Sequence, residues 1–310
     1  MSEQFAHDFD SIVDRAKALE RPVRVVIAGA DVENILLGAF DAEESGFVMP
    51  ILVGNRKRIT DMLDRLGLTD RNYDLQPVSD DVNVVQYSIE MVLAGKADVL
   101  MRGNTQTRDF LMPVLNKGNH LLSHNLMTHV VMLKIPGCEK ITAISDVTII
   151  VEPSIEQRKE VIKNMVRALR IIGVEDPNIA ILSLVEKPSF HMRDTVEAQT
   201  LVLHQKEEPF AKCNLVGPIP YDLIVSKEAA RLKNYDCPYC GEFDGIVAPN
   251  LMAGNLMIKI LEMNARANSF GIIMGAKIPI AITSRSDSKE QAYLSLAACA
   301  LMENKLNNIK

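Results

Sequence analysis

Ile278-Pro279-Ile280-Ala281-Ile282-Thr283-Ser284-Arg285-Ser286-Asp287-Ser288 carries the punctuation that decides the fold class. Its first five residues are an apolar run of the length of a buried strand. A polar, hydroxyl-rich turn follows, and a helical pattern then continues to about Leu301. Strand, turn and helix in that order are the unit from which α/β sheets are built. A helix N-terminus offers unpaired backbone N–H groups and the positive end of the macrodipole. The Ser284 hydroxyl and the Arg285 guanidinium add donors suited to a phosphate oxygen, and Asp287 adds a carboxylate suited to a base. A plainer reading uses the same residues: Ser288 and Gln291 form a capping box, Ser286 and Asp287 belong to the cap, and Arg285 pairs on the surface.

Outward from this stretch, apolar runs alternate with amphipathic ones. Strands are expected at Val23–Ala28, Ile51–Val53, Asp98–Met101, Val130–Ile135, Ile141–Ile144, Ile179–Leu184, Asn214–Gly217, Gly245–Ala248 and Ile278–Ile282. Helical periodicity falls between them, among other places at Phe9–Leu19, Asp31–Glu44, Val84–Ala94, Gln157–Ile172 and Asn255–Ala267. The alternation predicts an α/β protein with parallel-rich sheets buried on both faces. At 310 residues the chain exceeds one ordinary core. Breaks in the pattern near Leu121–Asn125 and Gly271–Lys277 give the expected division: 1–124 with 276–310 as a first domain, and 125–275 inserted as a second.

A net charge of −6 argues against a nucleic-acid binder, which needs a basic face, but not against a small phosphorylated ligand held at one local cation. No apolar run approaches the ~18–20 residues of a membrane span. The start, Met1-Ser2-Glu3-Gln4, lacks the basic and apolar regions of a secretory signal. Five cysteines form an odd, scattered set. Together these features predict a cytoplasmic protein with reduced thiols.

Ligands of α/β sheets collect at strand-to-helix turns. A second such turn is Met101-Arg102-Gly103-Asn104-Thr105-Gln106-Thr107, where Gly103 permits close approach and Asn104, Thr105 and Thr107 supply polar groups. Its plainer reading is a βα loop with a Thr cap. A third runs from Asp244 and Gly245 to Gly254-Asn255, read as strand, loop and helix start, with Asn255 a cap or a donor. Cys237-Pro238-Tyr239-Cys240 resembles a dithiol motif, yet no second CxxC or His pair completes a zinc site. The six histidines form no HExxH or triad signature; His124 beside Ser123 is not a catalytic geometry. Asp146 and Asp222 end apolar or Gly/Pro-rich runs and fit a cleft wall or a helix cap. No G-x-G-x-x-G or Walker pattern is present, which disfavours nicotinamide and ATP chemistry.

With these residues in view, the chain resembles the phosphate acyltransferases, in particular their phosphate butyryltransferase branch. Pro50-Ile51-Leu52-Val53-Gly54 is similar to the family's early strand and Met101-Arg102-Gly103 to its Lys-Gly turn. Leu121-Leu122-Ser123-His124, Ile135-Pro136-Gly137, Ser145-Asp146 and Glu156-Gln157 match its middle section. Val225–Ala230, Val247-Ala248-Pro249 with Gly254-Asn255, Gly275-Ala276-Lys277 and Thr283–Ser288 match its C-terminal signatures.

The resemblance implies two α/β/α domains with a cleft between them, in the architecture of isocitrate and isopropylmalate dehydrogenases, and a homodimer or larger assembly. It implies reversible transfer of a short-chain acyl group, butyryl-like or acetyl, between coenzyme A and orthophosphate. No metal, cofactor or covalent acyl-enzyme is expected; acyl-CoA and phosphate are substrates. Ser284 and Arg285 would hold phosphate and polarise the carbonyl, with Asp287 as base. Arg102, Gly103, Asn104, Thr105, Thr107, Asp244, Gly254, Asn255 and Lys277 would bind substrate. Relatives that transfer acetyl place their proposed Asp base nearer Gln291. This chain also carries Arg102 where Lys is common, Met112 where a basic residue is usual (Arg108 lies one turn earlier), and the two-cysteine segment in place of a Ser-Pro-Val-Ala-like stretch. Three rivals differ in class or donor: a protein-carried acyl donor, a decarboxylating dehydrogenase, and a thiol-based sensor built on the CxxC.

Overall fold

The computed structural model describes residues 8–123, 126–284 and 287–307. The chain divides into two compact units, one of Phe9–His124 with Phe270–Lys310, the other of Asn125–Ser269 together with the first residues.

The first unit opens with α1 (Phe9–Lys17), β1 (Val23–Ala28), α2 (Glu33–Glu44), β2 (Val48–Gly54), α3 (Arg56–Leu66), β3 (Asp74–Pro77), α4 (Val84–Leu93), β4 (Val99–Arg102) and α5 (Thr107–Leu115). In the second unit lie β5 (Thr128–Lys134), β6 (Ile141–Ser145), α6 (Ile155–Ile171), β7 (Asn178–Leu182), α7 (Arg193–Glu207), β8 (Asn214–Ile219), α8 (Tyr221–Val225), α9 (Lys227–Leu232), β9 (Gly245–Val247) and α10 (Leu251–Met263). The chain then returns through β10 (Asn268–Met274), β11 (Ile280–Ala281) and α11 (Lys289–Asn307).

In the first unit the strands lie in the order β3-β2-β1-β4-β11-β10, parallel except for the β10–β11 hairpin. In the second the order is β5-β6-β9-β7-β8, parallel except for β5–β6. Both units are therefore α/β with parallel-rich sheets. Their strands read as continuous Val/Ile runs because helices cover both faces. Val25, Val26 and Ile27 of β1 are wholly buried, as are Ile179, Ala180 and Ile181 of β7. Asparagines and a serine start several helices. Asn55, Asn83 and Asn250 accept from the backbone of α3, α4 and α10, and Ser154 with Gln157 forms a capping box on α6. Gly38 lets α2 meet α11 closely, since a Cβ there would lie 2.6 Å from the Lys289 carbonyl oxygen.

Several expected boundaries move. The 278–282 run yields only the two-residue strand Ile280–Ala281, because Pro279 has no N–H to donate and its carbonyl accepts from Leu100. The Gly271–Lys277 stretch is not a connector through its first half: residues up to Met274 form β10, buried from Ser269 onward. The short polar edge strand β3 escapes the apolar pattern. The third turn's helix begins at Leu251 behind the Asn250 cap, so Gly254 and Asn255 lie inside α10 and not at its start.

Candidate active site

In the first unit the carboxyl ends of β1, β4 and β11 converge through short contacts. The Gly103 N–H donates to the Ala28 carbonyl at 3.0 Å and the Asn104 N–H to the Gly29 carbonyl at 2.7 Å. A Cβ on Gly103 would overlap the Gly29 carbonyl oxygen, so this approach needs glycine at 103. Gly29 itself has φ +83°, a left-handed conformation that favours glycine, and a Cβ there would press on the Asn104 nitrogen.

Arg102 ends β4 and is 5% exposed. Its guanidinium donates twice to the Thr105 carbonyl, at 2.7 and 3.1 Å, and once to the Thr283 carbonyl at 2.8 Å. Arg102, expected to bind substrate, thus also acts as a staple. It ties the 103–107 turn to the last residue before Ser284, with its charge directed at backbone oxygens. Such a fork suits a planar guanidinium and cannot be copied by an ammonium.

The turn so fixed is open in two respects. The Thr105 hydroxyl oxygen is buried and has no hydrogen-bond partner among the described residues. Helix α5 begins at Thr107 behind Gln106, which makes no side-chain cap, and α2 begins behind Val32, which makes none either. Uncapped helix starts leave N–H donors and positive potential facing the strand ends.

Opposite, the Ser284 N–H donates to the Asp287 carboxylate at 2.6 Å and the Asp287 N–H returns to the Ser284 carbonyl at 3.2 Å. The Asp287 carbonyl accepts from the Asn34 side chain on α2 at 3.0 Å. Ser288 and Gln291 form the capping box of α11, through 2.8 and 3.3 Å bonds. The plain reading of these two residues therefore holds, while Ser284 and Asp287 make a turn of their own. Arg285 and Ser286 lie outside the described residues, as does His124.

The second unit has its own carboxyl-end feature. Asp146, 5% exposed, receives the N–H groups of His129, Thr148, Ile149 and Ile150 at 2.6–3.1 Å. Burial pushes its carboxyl above the usual carboxylate range, against four donors that favour the charged form. Gly254 and Asn255 press α10 onto the same loop. A Cβ on Gly254 would lie 2.5 Å from the Asp146 carbonyl, and the Asn255 amide donates to the Val147 carbonyl at 3.1 Å.

Two expected site residues stand at the amino ends of their strands. Asp244 precedes β9 at its amino end, where its carboxylate accepts from the Asn178 N–H at 2.8 Å and from Lys140 at 3.3 Å. Lys277 precedes β11, which runs parallel to β4, so its exposed ammonium lies at the end opposite Arg102 and Thr283. Spacing along a chain does not say whether a strand runs with or against its neighbours, and so does not say at which end of the sheet a flanking residue lies. Gly29 was missed, although a glycine directly after an apolar strand is a signal of close approach.

A family model described as phosphate acetyl/butaryl transferase matches residues 72–300. The phosphate butyryltransferase of Clostridium acetobutylicum is 29% identical over 294 residues, spanning 95% of this chain and 97% of that protein. A phosphate acetyltransferase of Rhizobium meliloti is 29% identical, spanning 94% and 92%. A crystal structure of a branched-chain phosphotransacylase from Enterococcus faecalis V583 superposes with a TM-score of 0.81 at 27% identity, covering 91% of this chain and 99% of that one.

Proposed function

Because the chain belongs to the phosphate acetyl/butaryl transferase family, we propose that it transfers a short-chain, butyryl-like acyl group between coenzyme A and orthophosphate. A phosphate oxygen attacks the thioester carbonyl, the tetrahedral oxyanion collapses, and the CoA thiolate leaves; the reverse direction starts from thiol and acyl phosphate. Both directions build charge on oxygen and need donors already aimed at it. The observation that carries the assignment is the stapled turn at the carboxyl end of β4, with its buried, partnerless Thr105 hydroxyl beside an uncapped helix start.

In this reading Thr105, the first N–H groups of α5, Ser284 and Arg285 hold phosphate and the developing oxyanion. Asp287, oriented by the Ser284 N–H, accepts the thiol proton. Gly29 and Gly103 set the depth of the site, and Asn104 and Thr107 line its rim. The reading calls for no resident metal or cofactor. It places the protein in the cytoplasm, supported by five unpaired cysteines. Among the described residues no helix is long and apolar enough to cross a membrane. A homodimer is supported by an exposed apolar stripe on α10, formed by Met252, Leu256, Ile260 and Met263.

The test is phosphate-dependent release of CoA across a panel of acyl-CoAs, beside Ser284→Ala and Arg285→Ala. Turnover is expected with butyryl-CoA, falling on the order of 100-fold in either variant, as for loss of one oxyanion donor. A preference for acetyl-CoA moves the substrate and keeps the class; silence with every acyl chain rejects the class.

A further inference from the structure

The reaction proposed above leaves Cys237 and Cys240 without a task, although they are more than neighbours in sequence. Residues 237–240 close a tight turn in which the Cys240 N–H donates to the Cys237 carbonyl at 3.4 Å. Such a turn holds its end Cα atoms within about 7 Å. That range overlaps the roughly 4.4–6.8 Å that a disulfide spans. The two cysteines are thus the first and last residues of one turn.

The turn is anchored on both sides. The Gly241 N–H donates to the Ile224 carbonyl at the end of α8 at 3.0 Å, and the Glu242 N–H to the Tyr239 carbonyl at 2.8 Å. The Tyr239 ring meets Phe243 edge-on, 6.4 Å between centroids. Glu242 pairs with Lys227 and with Lys140. The turn that carries both cysteines is therefore held by its surroundings in the reduced state.

Their environments differ in the way a stepwise exchange requires. Cys237 is half-buried and packs against the edge of the apolar cluster around Phe243, Ile246 and Leu261, whereas Cys240 is 3% exposed and lies within that cluster. Among the described residues no group of three His, Cys, Asp or Glu side chains is placed to hold a metal ion, so the pair is not part of a preformed cation site.

We propose that Cys237 and Cys240 form a thiol–disulfide exchange site for small disulfides of the oxidised-glutathione class, Cys237 attacking and Cys240 resolving. The Cys237 thiolate attacks one sulfur of the small disulfide, forming a mixed disulfide and releasing one thiolate. The Cys240 thiolate then attacks the Cys237 sulfur, the mixed bond breaks and a second thiolate leaves. The protein dithiol loses two electrons and two protons, and the small disulfide is reduced to two thiols.

The order of attack follows from burial. Desolvation first, and the neighbouring Cys237 second, push the Cys240 thiol up to about 12, so it is not the group that meets the oxidant. Once Cys237 is capped as a mixed disulfide, its charge no longer opposes ionisation of Cys240. The other thiols have no such arrangement: burial raises Cys213 to about 11 and moves Cys299 above the usual thiol range. Cys138 is half-buried and serves as the internal control.

The test uses the full chain in glutathione buffers of increasing oxidised fraction, quenched in acid, unfolded, alkylated and weighed. The reduced protein takes five alkyl groups, one per cysteine. The oxidised protein is expected to take three, with the missing pair inside the tryptic peptide 234–259. Cys240→Ala should trap glutathione on Cys237, and Cys237→Ser should leave Cys240 unmodified. Circular dichroism of both variants separates chemistry from misfolding. Five alkyl groups at the most oxidising ratio would overturn the proposal, and so would adducts on Cys138 as abundant as those on Cys237 in the Cys240→Ala protein.

Discussion

The two ends of each sheet are held by different means. At the amino ends a carboxylate joins a strand to a cation. Asp98, just before β4, takes the Arg24 side chain at 2.7 and 3.0 Å and the Arg24 N–H at 2.9 Å, and Asp244 takes Lys140 and the Asn178 N–H. At the carboxyl ends the ties run to backbone, from Arg102 onto two carbonyls and from four N–H groups onto Asp146. Ion pairs close a sheet end and leave nothing over. Ties to backbone order a loop while leaving its side-chain hydroxyl, Thr105, available. In the proposed reaction this contrast assigns the chemistry to the carboxyl ends and leaves support to the amino ends.

The strongest way to break this contrast is to cut the Arg102 staple. Arg102→Ala leaves two carbonyls without their donor and lets the 103–107 turn drift from Ser284. Turnover should fall about 100-fold, the cost of a misplacement near 1 Å. Arg102→Lys, unable to reach both carbonyls as a fork, should recover only part of it. Steady-state kcat/KM for phosphate reads both, and an Ala variant within twofold of the parent removes the staple from the account.

Thr105→Val sharpens the comparison. It keeps the shape and deletes a buried hydroxyl that has no partner. Urea unfolding should show a gain of about 1 kcal/mol, because an unsatisfied polar group is removed. KM for phosphate should rise roughly tenfold, the loss of about 1.4 kcal/mol of hydrogen bonding. Lower stability would mean that the hydroxyl is structural.

The smallest effect belongs to the amino end. Burial raises the Asp98 carboxyl, but the Arg24 hydrogen bonds and charge outweigh it, and the net shift is downward. A depressed carboxyl stabilises above its unfolded value of 3.8 and loses that contribution as pH falls through the lower folded value. Asp98→Asn should therefore cost about 0.5–1 kcal/mol at neutral pH, discounted because the Arg24 side chain is 40% exposed. The cost should shrink below pH 3.8, as acid unfolding monitored by circular dichroism would register. Turnover per folded molecule should not change.

Much of this was legible along the chain. Buried Val/Ile strands and capped helices announce themselves, and the 102–107 and 283–288 turns stood out because polar residues follow apolar runs. What spacing hides is direction. Lys277 and Asp244 precede their strands whereas Thr283 and Ala248 follow theirs, and the pairing adds that β11 and β9 run parallel to β4 and β6, so the two pairs occupy opposite ends of the sheets. Nor does a basic residue at a strand end reveal whether it faces a ligand or its own backbone. Arg102 faces its own backbone because Thr105 and Thr283 place two carbonyls within its fork. The β10 strand was missed because Gly271 interrupts a run that burial on both faces makes strand-like nonetheless.

The place of β11 between β4 and β10 has a consequence for a chain that emerges from the ribosome one residue at a time. The neighbours of β4 are β1, made early, and β11, made some 180 residues later. Through that interval one edge of β4 offers its backbone to any passing strand. Ile280 and Ala281 contribute only two residues of pairing, yet their arrival closes that edge of β4.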